Sequence, residues 1–550
     1  MVESSEVVKK FMKAQMSITP QALETLKNQS NFPLAAQEVL NDLKKESEKP
    51  PIITEKIVNQ ILSSGDSVIS KSTTQETKKT QKVSEEKAEH KEVSEDTEVS
   101  QGETTQIEEP KPQVEQERRP EEKEWPEVQI HKDITGQSTS EGDIEDFVQL
   151  FRDRYDRLSK ILKQRKGLRD AIRISGISNY EGRQVKIIGI VMSKRETRKG
   201  DAKLIQIEDP TGRATIYVKD SQRNAKLIEK IKEVVTDEVI CAEVQVPDNL
   251  SGDKRGPLVW GNNVTWPDIP ARKDSEEQDV PDESICATLI SDIHVGSKMF
   301  QEDTFNEFVR WLKGEAGNEK QRELASKVKY LIIAGDLVDG IGIYPRQQEE
   351  LEISDVYKQY EAVAEYLSQV PDRIKIIAAP GNHDAVRLAE PQPALPSEVA
   401  SPLEEIGVKL VSNPAYVSIH GVKFLIYHGG GFDDLIASIS ELDREHSLKP
   451  MRYLLKKRHL APIYGEPMGG RTPIAPEERD YLVVDEVPDI IHSGHLHVYS
   501  SGRYRDVVLI NSATFQSRTS YMKRMGVKPT PGVVPTVNLK TKEVRPIQFE

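Results

Sequence analysis

Cysteine is almost absent from this 550-residue chain: there are two, Cys241 and Cys286, each inside an apolar run (EVICAEV and SICATLI). That excludes a disulfide scaffold and a cysteine-rich zinc site, and it reads as two buried free thiols. Aromatic residues are scarce at 6%, and no uninterrupted apolar run approaches the roughly 18 residues needed to span a bilayer. No membrane partner is therefore expected. The opening residues, MVESSEVVKKFMK, carry no apolar stretch of signal-peptide length, which points to a cytoplasmic protein. Positive charge is also short, with 76 Lys and Arg against 90 Asp and Glu, a net of -14. Such acidity looks hostile to a nucleic-acid backbone. However, residues 66–140 hold 19 acidic and 11 basic residues, so -8 of the -14 sits in that one stretch.

What is present divides into segments. Residues 1–65 show short helical patterns opened by Thr19-Pro20, Pro33 and Thr54, and read as a small helical module. Residues 66–142, rich in Glu, Ser, Thr, Gln and Pro, read as a disordered acidic linker in which only Trp125 suggests a docking point. Over 143–181, Phe147, Leu150, Phe151, Tyr155, Leu158 and Leu162 recur at three- and four-residue spacing, giving one amphipathic helix and a connector. From 182 to 268 the period falls to two, with a turn at Asp209-Pro210-Thr211-Gly212 and one helical stretch, SQRNAKLIEKIKEVV. The order strand, strand, strand, helix, strand, strand fits an OB-fold β-barrel. Its first connecting loop carries Lys194, Arg195, Arg198, Lys199 and Lys203. They read either as a phosphate contact or as an ordinary solvated hairpin tip. An acidic bridge, 269–283, leads to an α/β domain, 284–550, in which apolar strands alternate with helices.

Nine of the 11 histidines fall between His294 and His497, and most directly follow an apolar strand. Five polar groups punctuate strand ends in order: Asp292-Ile-His294, Gly335-Asp336-Leu-Val-Asp339, Gly381-Asn382-His383-Asp384, Tyr427-His428-Gly429 and Gly494-His495-Leu-His497. Loops beyond the carboxyl ends of strands in an α/β sheet can converge on one point. Their donors are carboxylate, imidazole and amide, with no thiolate, a mixture that suits Mn²⁺, Fe or Zn²⁺ better than Ca²⁺. Asp292 and His294 can face one cation, as can His495 and His497. The donors outnumber one ion's needs, so two divalent cations sharing a carboxylate are expected, the arrangement used for phosphoryl displacement. Each piece alone is weak, since a single His beside an apolar run is commonly structural. His420, His446, His459 and His492 keep that structural reading.

The five groups resemble the full motif set of the calcineurin-like metallophosphoesterases, over roughly 286–512. Preceded by a barrel, a linker and a helical module, they are similar to the small (B) subunits of replicative DNA polymerases. The stretch GGRTPIAPEERDYLVVDEVPDIIHSGHLH resembles the small subunit of the archaeal D-family DNA polymerase in particular. The resemblance implies a calcineurin-like metallophosphoesterase sandwich and a metal-dependent 3′→5′ proofreading exonuclease of the archaeal cytosol. It implies a heterodimer with the large catalytic subunit of the D-family DNA polymerase, acting on DNA 3′ ends, single-stranded or mismatched. It also implies that Asp292, His294, Asp336 and His497 hold one cation and Asp336, Asn382, His428 and His495 the other, with Mn²⁺ first and Fe, Zn or Mg as alternatives. His383 would then face the scissile phosphate with Asp384 orienting its ring, and Asp339 would orient a ligand rather than bind metal. Two readings compete: a stand-alone phosphoesterase or repair nuclease, and a non-catalytic scaffold. The intact donor set argues against the scaffold, because buried His and Asp clusters otherwise only cost desolvation.

Overall fold

A computed structural model of the chain describes residues 128–250, 252–253, 256–271, 284–464 and 472–550, with scattered positions between 17 and 61. The chain divides into two compact units, Met1–Glu117 and Arg118–Glu550. In the first, positions 22, 25, 26, 36, 39, 43, 57, 58 and 61 are helical, and Ala22, Leu26, Ala36, Val39, Leu43 and Val58 among them are buried. Two short strands, Ser17–Ile18 and Ile52–Ile53, pair in parallel, which a purely helical module does not include. Residues 66–127, with Trp125, lie outside the described residues, as do 272–283 of the acidic bridge.

The second unit begins with a strand, β1 (Gln129–Lys132), and a 21-residue helix, α1 (Ile144–Gln164). The helix opens on a capping box between Asp143 and Asp146 and buries Leu150, Leu158 and Leu162. The barrel strands are β2 (Gln184–Glu196), β3 (Ala202–Asp209), β4 (Gly212–Lys219), then helix α2 (Ala225–Lys232), β5 (Val239–Gln245) and β6 (Gly256–Thr265). Their order is β4-β3-β2-β5-β6, closed by a parallel pairing of β4 with β6. The period-two pattern is the reason: Ile205, Ile207, Ile216 and Val218 alternate into the interior. At the β3–β4 turn the Asp209 carboxylate accepts from Thr211 N (2.7 Å) and Gly212 N (3.0 Å).

The remaining strands form two six-stranded sheets. The first runs Lys409–Leu410, β9 (Lys375–Ala379), β8 (Val328–Ala334), β7 (Cys286–Ile290), Val533–Asn538 and Val544–Gln548. In it β7, β8 and β9 are parallel. The second runs Ser500–Tyr504, β13 (Val507–Asn511), β12 (Ile490–Ser493), β11 (Val422–Ile426), β10 (Ala415–Ile419) and β1. Tyr330, Ile332 and Ala334 of β8 pack with Val417, Phe424 and Ile510 in one apolar cluster between the sheets. Leu331 and Ile333, on the other face of β8, pack with Phe305, Phe308, Tyr360 and Val363 of helices Glu302–Leu312 and Val356–Leu367. The outer face of the second sheet packs with Met451, Leu454 and Leu455 of helix Leu448–Lys457. Helices therefore cover the outside of two stacked sheets.

One sequence expectation changes here. Composition makes residues 128–142 the end of a disordered linker, yet β1 pairs antiparallel with β10, and the Glu477 carboxylate accepts from Ser138 Oγ and Thr139 N at 2.6 Å each. The strand is too polar to show a pattern of its own, and its backbone satisfies the sheet edge. Helix α1 also buries a charge. Arg154, 0% exposed, donates from Nε to Asp480 (2.7 Å) and from a terminal nitrogen to the Pro462 carbonyl (2.8 Å) and the Asp237 carbonyl (3.1 Å). It joins barrel, helix and the 429–491 insertion at one point. Cys241 and Cys286 are free and buried, and burial pushes their thiols up to about 12 and about 11. No helix among the described residues is long and apolar enough to cross a membrane.

Candidate metal centre

The five polar groups leave the carboxyl ends of five strands, parallel within each of the two sheets. Asp292 and His294 follow β7, Asp336 and Asp339 follow β8, and Asn382, His383 and Asp384 follow β9 in the first sheet; His428 follows β11, and His495 and His497 follow β12, in the second. Backbone bonds tie the first two loops together: Asp292 N donates to the Gly335 carbonyl (2.9 Å) and Ile293 N to the Asp336 carbonyl (2.8 Å). Asp292, His294, Asp336, His495 and His497 all adopt positive φ, between 52° and 68°. Left-handed backbone turns the chain sharply enough for residues two apart to face one centre, at a cost that ordinary loops avoid. Glycine permits the close approach: a Cβ on Gly381 would overlap the Asp336 carboxylate, and one on Gly494 that of Asp292.

The donors fall into two groups. Ligating atoms of Asp292, His294, Asp336 and His497 all lie within 4.8 Å of one another, and all four residues are buried. His497 Nε2 is 3.2 Å from Asp292 Oδ1 and 3.1 Å from His294 Nε2. In the second group His428 Nε2 is 3.3 Å from Asp336 Oδ2 and 3.0 Å from Asn382 Oδ1, which is 2.9 Å from His495 Nδ1. Asp336 stands in both. His495 and His497, which sequence spacing allows on one cation, thus separate onto different groups.

The pocket's electrostatics fit a cation. Among the described residues, the ion pairs of Asp292 and Asp336 are all to imidazoles, with no Lys or Arg. Burial opposes their charge, and the surrounding rings, His497 for Asp292 and His428 for Asp336, still hold both carboxyls below the ordinary range. Burial likewise opposes a charge on His428, but Asp336 overrides it and raises the ring to about 10. His428 Nδ1 donates to the Ala334 carbonyl (2.8 Å), so Nε2 is the ring atom that faces Asp336 and would ligate a cation on giving up its proton. Burial lowers His294. His495 Nε2 and His497 Nδ1 are buried without a hydrogen-bond partner. Two buried carboxylates, matched by no Lys or Arg and faced by imidazoles that can yield a proton to a cation, form a donor set of metal-binding character.

His383 lies beside this cluster, its ring centroid 4.7 Å from that of His294, and it lines a cavity of about 610 Å³ with His294, Asn382, His495 and His497. Its ring is not oriented by Asp384, contrary to what the family resemblance implies. Nδ1 donates instead to the Asp339 carbonyl at 2.8 Å. The Asp384 carboxylate is turned inward, where it accepts from Gly381 N (2.8 Å), Leu337 N (3.3 Å) and Tyr360 Oη (3.1 Å). Burial, then Asp336, raises it to about 6. Three backbone and phenol donors at a tight loop claim this carboxylate before a neighbouring ring can. The Asp339 carboxylate lies 3.2 Å from His294 Nδ1 and accepts from Gln347 (3.0 Å) and Gln516 (2.8 Å). His294, Asp339 and His383 also form a second close triad.

Sequence reading misses Gln347, Tyr360 and Gln516, which no pattern announces, and Asp433, whose carboxylate lies 3.6 Å from His495 Nε2. The four histidines expected to be structural have structural partners: Tyr330 for His420, Asp443 for His446, Asp480 for His459 and Ser512 for His492. Of the five basic residues expected in the first barrel loop, Lys194 and Arg195 lie on β2 and Lys203 on β3, leaving Arg198 and Lys199 in the loop, and Lys194 does not reach outward. Its ammonium donates to the Val234 (2.6 Å) and Lys232 (3.2 Å) carbonyls at the end of α2. Lys203 is paired with Glu196, and Arg195, Arg198 and Lys199 are exposed.

Fold and site together define a class, a barrel joined to a layered α/β domain that carries a buried Asp/His cluster able to bind metal. The profile of a polymerase family, the B subunit of DNA polymerase alpha/epsilon, matches residues 287–500. The chain is 44% identical over 423 residues to the DNA polymerase II small subunit of Archaeoglobus fulgidus, covering 76% of this chain and 81% of that one. It is 43% identical over 411 residues to that of Methanothermobacter thermautotrophicus, covering 74% and 81%. The chain belongs to the family of DNA polymerase II small subunits.

Proposed function

We propose that this chain is the nuclease subunit of a two-subunit replicative DNA polymerase, removing nucleotides from DNA 3′ ends by metal-dependent phosphodiester hydrolysis. The observation that carries the reading is the pair of donor groups sharing Asp336, with the His383 ring beside them and held on the Asp339 carbonyl. Asp292, His294, Asp336 and His497 would hold one divalent cation, and Asp336, Asn382, His428 and His495 the other. The mixed oxygen and nitrogen donors favour Mn²⁺, with Fe, Zn or Mg as alternatives. Bound cations supply Lewis-acid polarisation of the phosphoryl group and neutralise its charge.

The chain's own residues do the rest. Because Nδ1 of His383 is committed to the Asp339 carbonyl, Nε2 is its remaining proton site. It stabilises charge at the phosphate or gives its proton to the leaving 3′-oxygen. Asp339 holds both His294, by its carboxylate, and His383, by its carbonyl, and so fixes a ligand and the acid relative to each other. Asp384 positions the 381–383 loop. In this reading the barrel, 182–268, is an OB-fold and 284–550 a calcineurin-like metallophosphoesterase sandwich, behind a helical module, 1–65, and a linker that ends near 127. The large catalytic subunit of the D-family polymerase is the partner, and exposed Arg195, Arg198 and Lys199 meet strand phosphates.

The test is Mn²⁺-dependent nucleotide release from single-stranded and mismatched 3′ ends, by the full chain alone and with the large subunit. Activity lost in Asp336→Asn and His383→Ala supports the reading. No release by either unmutated preparation overturns it.

A further inference from the structure

The cavity at the metal cluster is not polar throughout. On one side an aromatic series leads outward from His383: the Tyr344 ring lies 6.4 Å from it, and Tyr521 stacks on Tyr344 at 5.7 Å with planes 28° apart. Tyr344 is fixed by its hydroxyl, which donates to Glu350 at 3.1 Å. Tyr521 sits on the short helix Ser520–Arg524, which is anchored by buried Met522 and capped by Thr519, whose hydroxyl accepts from Met522 N. Tyr521 remains 41% exposed, and Met525 beside it 40%. Two tyrosines packed only to cover apolar surface would bury such a ring more fully.

The segment that presents Tyr521 is also the most one-sidedly charged part of the site's surroundings. From Gln516 to Lys528 it holds Arg518, Lys523, Arg524 and Lys528 and no acid. Arg524 is close enough to the Tyr344 phenol to act on it electrostatically. Past Met525 a second cavity, of about 590 Å³, shares Asp433, Arg444, Met525 and Val527 with the first; its far wall carries Asp443 and Glu445, and Lys528 stands on the side of the 516–528 segment. The two make one groove leading away from the metal cluster. An exposed aromatic ring on a basic segment beside a groove is chemistry that holds single strands: bases stack, and phosphates are met by charge.

We propose that Tyr344 and Tyr521 form the stacking platform for the base of an unpaired 3′-terminal nucleotide, with the 516–528 segment as its phosphate rail. This rests on the nuclease reading above and deepens it. A base held there must be out of the duplex, so the platform selects frayed or mismatched ends over paired ones. Tyr344 and Tyr521 are positioning residues, since they touch the base and not the reacting phosphate.

The test uses the full chain, alone and with its large subunit, and a single strand ending in 2-aminopurine, whose fluorescence is quenched by stacking. Measured in EDTA, unmutated protein should quench the terminal probe and Tyr521→Ala should restore its emission, while Tyr521→Phe keeps the quench. With Mn²⁺, Tyr521→Ala should raise KM roughly tenfold on a natural 3′ end, a stacking loss typical of one base, and leave it unchanged on a strand ending in an abasic residue. Equal effects on both ends, or a quench indifferent to Tyr521, overturn the proposal. Quenching that depends on Tyr521 without nucleotide release would overturn the nuclease reading and leave the platform standing. Release that is insensitive to Tyr521 would do the reverse.

Discussion

His294 and His497 lie 203 positions apart in the chain, yet their Nε2 atoms face each other across 3.1 Å in a buried pocket. Asp292 stands beside both. A divalent cation among these atoms would bind the folded chain and not the unfolded one, so it stabilises by mass action, by about 2.7 kcal/mol at a hundredfold excess over Kd. Thermal denaturation in Mn²⁺ should therefore run several degrees above that in EDTA, and Asp336→Asn should remove most of the difference. Coincident curves for the unmutated chain would contradict a cation site.

Asp384 and His383 are neighbours with separable effects. Alanine at 384 strips the acceptor from Gly381 N, Leu337 N and the Tyr360 hydroxyl, about 1–3 kcal/mol for each donor left unsatisfied. The loop carrying Asn382 should loosen and bound Mn²⁺ should fall. His383→Ala should retain the metal and slow turnover roughly 100-fold or more. Metal content by elemental analysis, measured beside kcat, distinguishes the two.

Around Asp480 the seam between barrel and insertion depends on pH. His459 Nε2 lies 2.9 Å from Asp480, but burial, then the charge of Arg154, lowers the ring to about 4. The folded value is below the unfolded one of about 6.5. The unfolded chain thus takes up the proton first, and this contribution is complete above pH about 6.5 and is lost as pH falls toward 4, roughly 3 kcal/mol in all. Burial opposes charge on Asp480 as well, yet His459 and Arg154 hold its carboxyl far below the carboxylate range, so its share is lost only at more acid pH. Urea denaturation between pH 7 and 4 should show the slope, and His459→Gln should flatten it. Asp480→Ala leaves Arg154 buried and uncompensated, at about 3–5 kcal/mol.

Charge on the barrel loop divides by what each side chain touches. Lys194→Ala removes the donor to the Val234 and Lys232 carbonyls and should lower the melting temperature without altering salt dependence. Arg198→Ala and Lys199→Ala should change stability by less than about 0.5 kcal/mol. Each should reduce the salt slope of single-strand binding by about one. A salt slope changed only by Lys194→Ala would contradict phosphate contacts there.

The site is legible where chemistry and chain direction coincide. Asp292-Ile-His294, Gly381-Asn382-His383-Asp384 and Gly494-His495-Leu-His497 each end an apolar strand, so strand direction alone brings them together. The barrel is legible because Ile205, Ile207, Ile216 and Val218 alternate strictly. What stays hidden depends on partners far away in sequence. Gln129–Lys132 has no pattern of its own and becomes a strand against Tyr416 and Ser418. Arg154 looks like a solvent-facing residue of α1 until Asp480, 326 positions later, meets it. The family resemblance implies that Asp384 orients the His383 ring, whereas the loop turns their side chains apart. Tyr344 and Tyr521, 177 positions apart, carry no motif at all.

Five residues of the candidate metal centre sit in left-handed backbone, where an L side chain costs about 1–2 kcal/mol and glycine almost nothing. Replacing His495 or Asp292 by glycine would relieve that strain while removing a donor. One route to greater thermal robustness therefore runs through the candidate metal centre itself. A library screened for folding alone, without a divalent cation, would favour variants that endure heat and lack these donors.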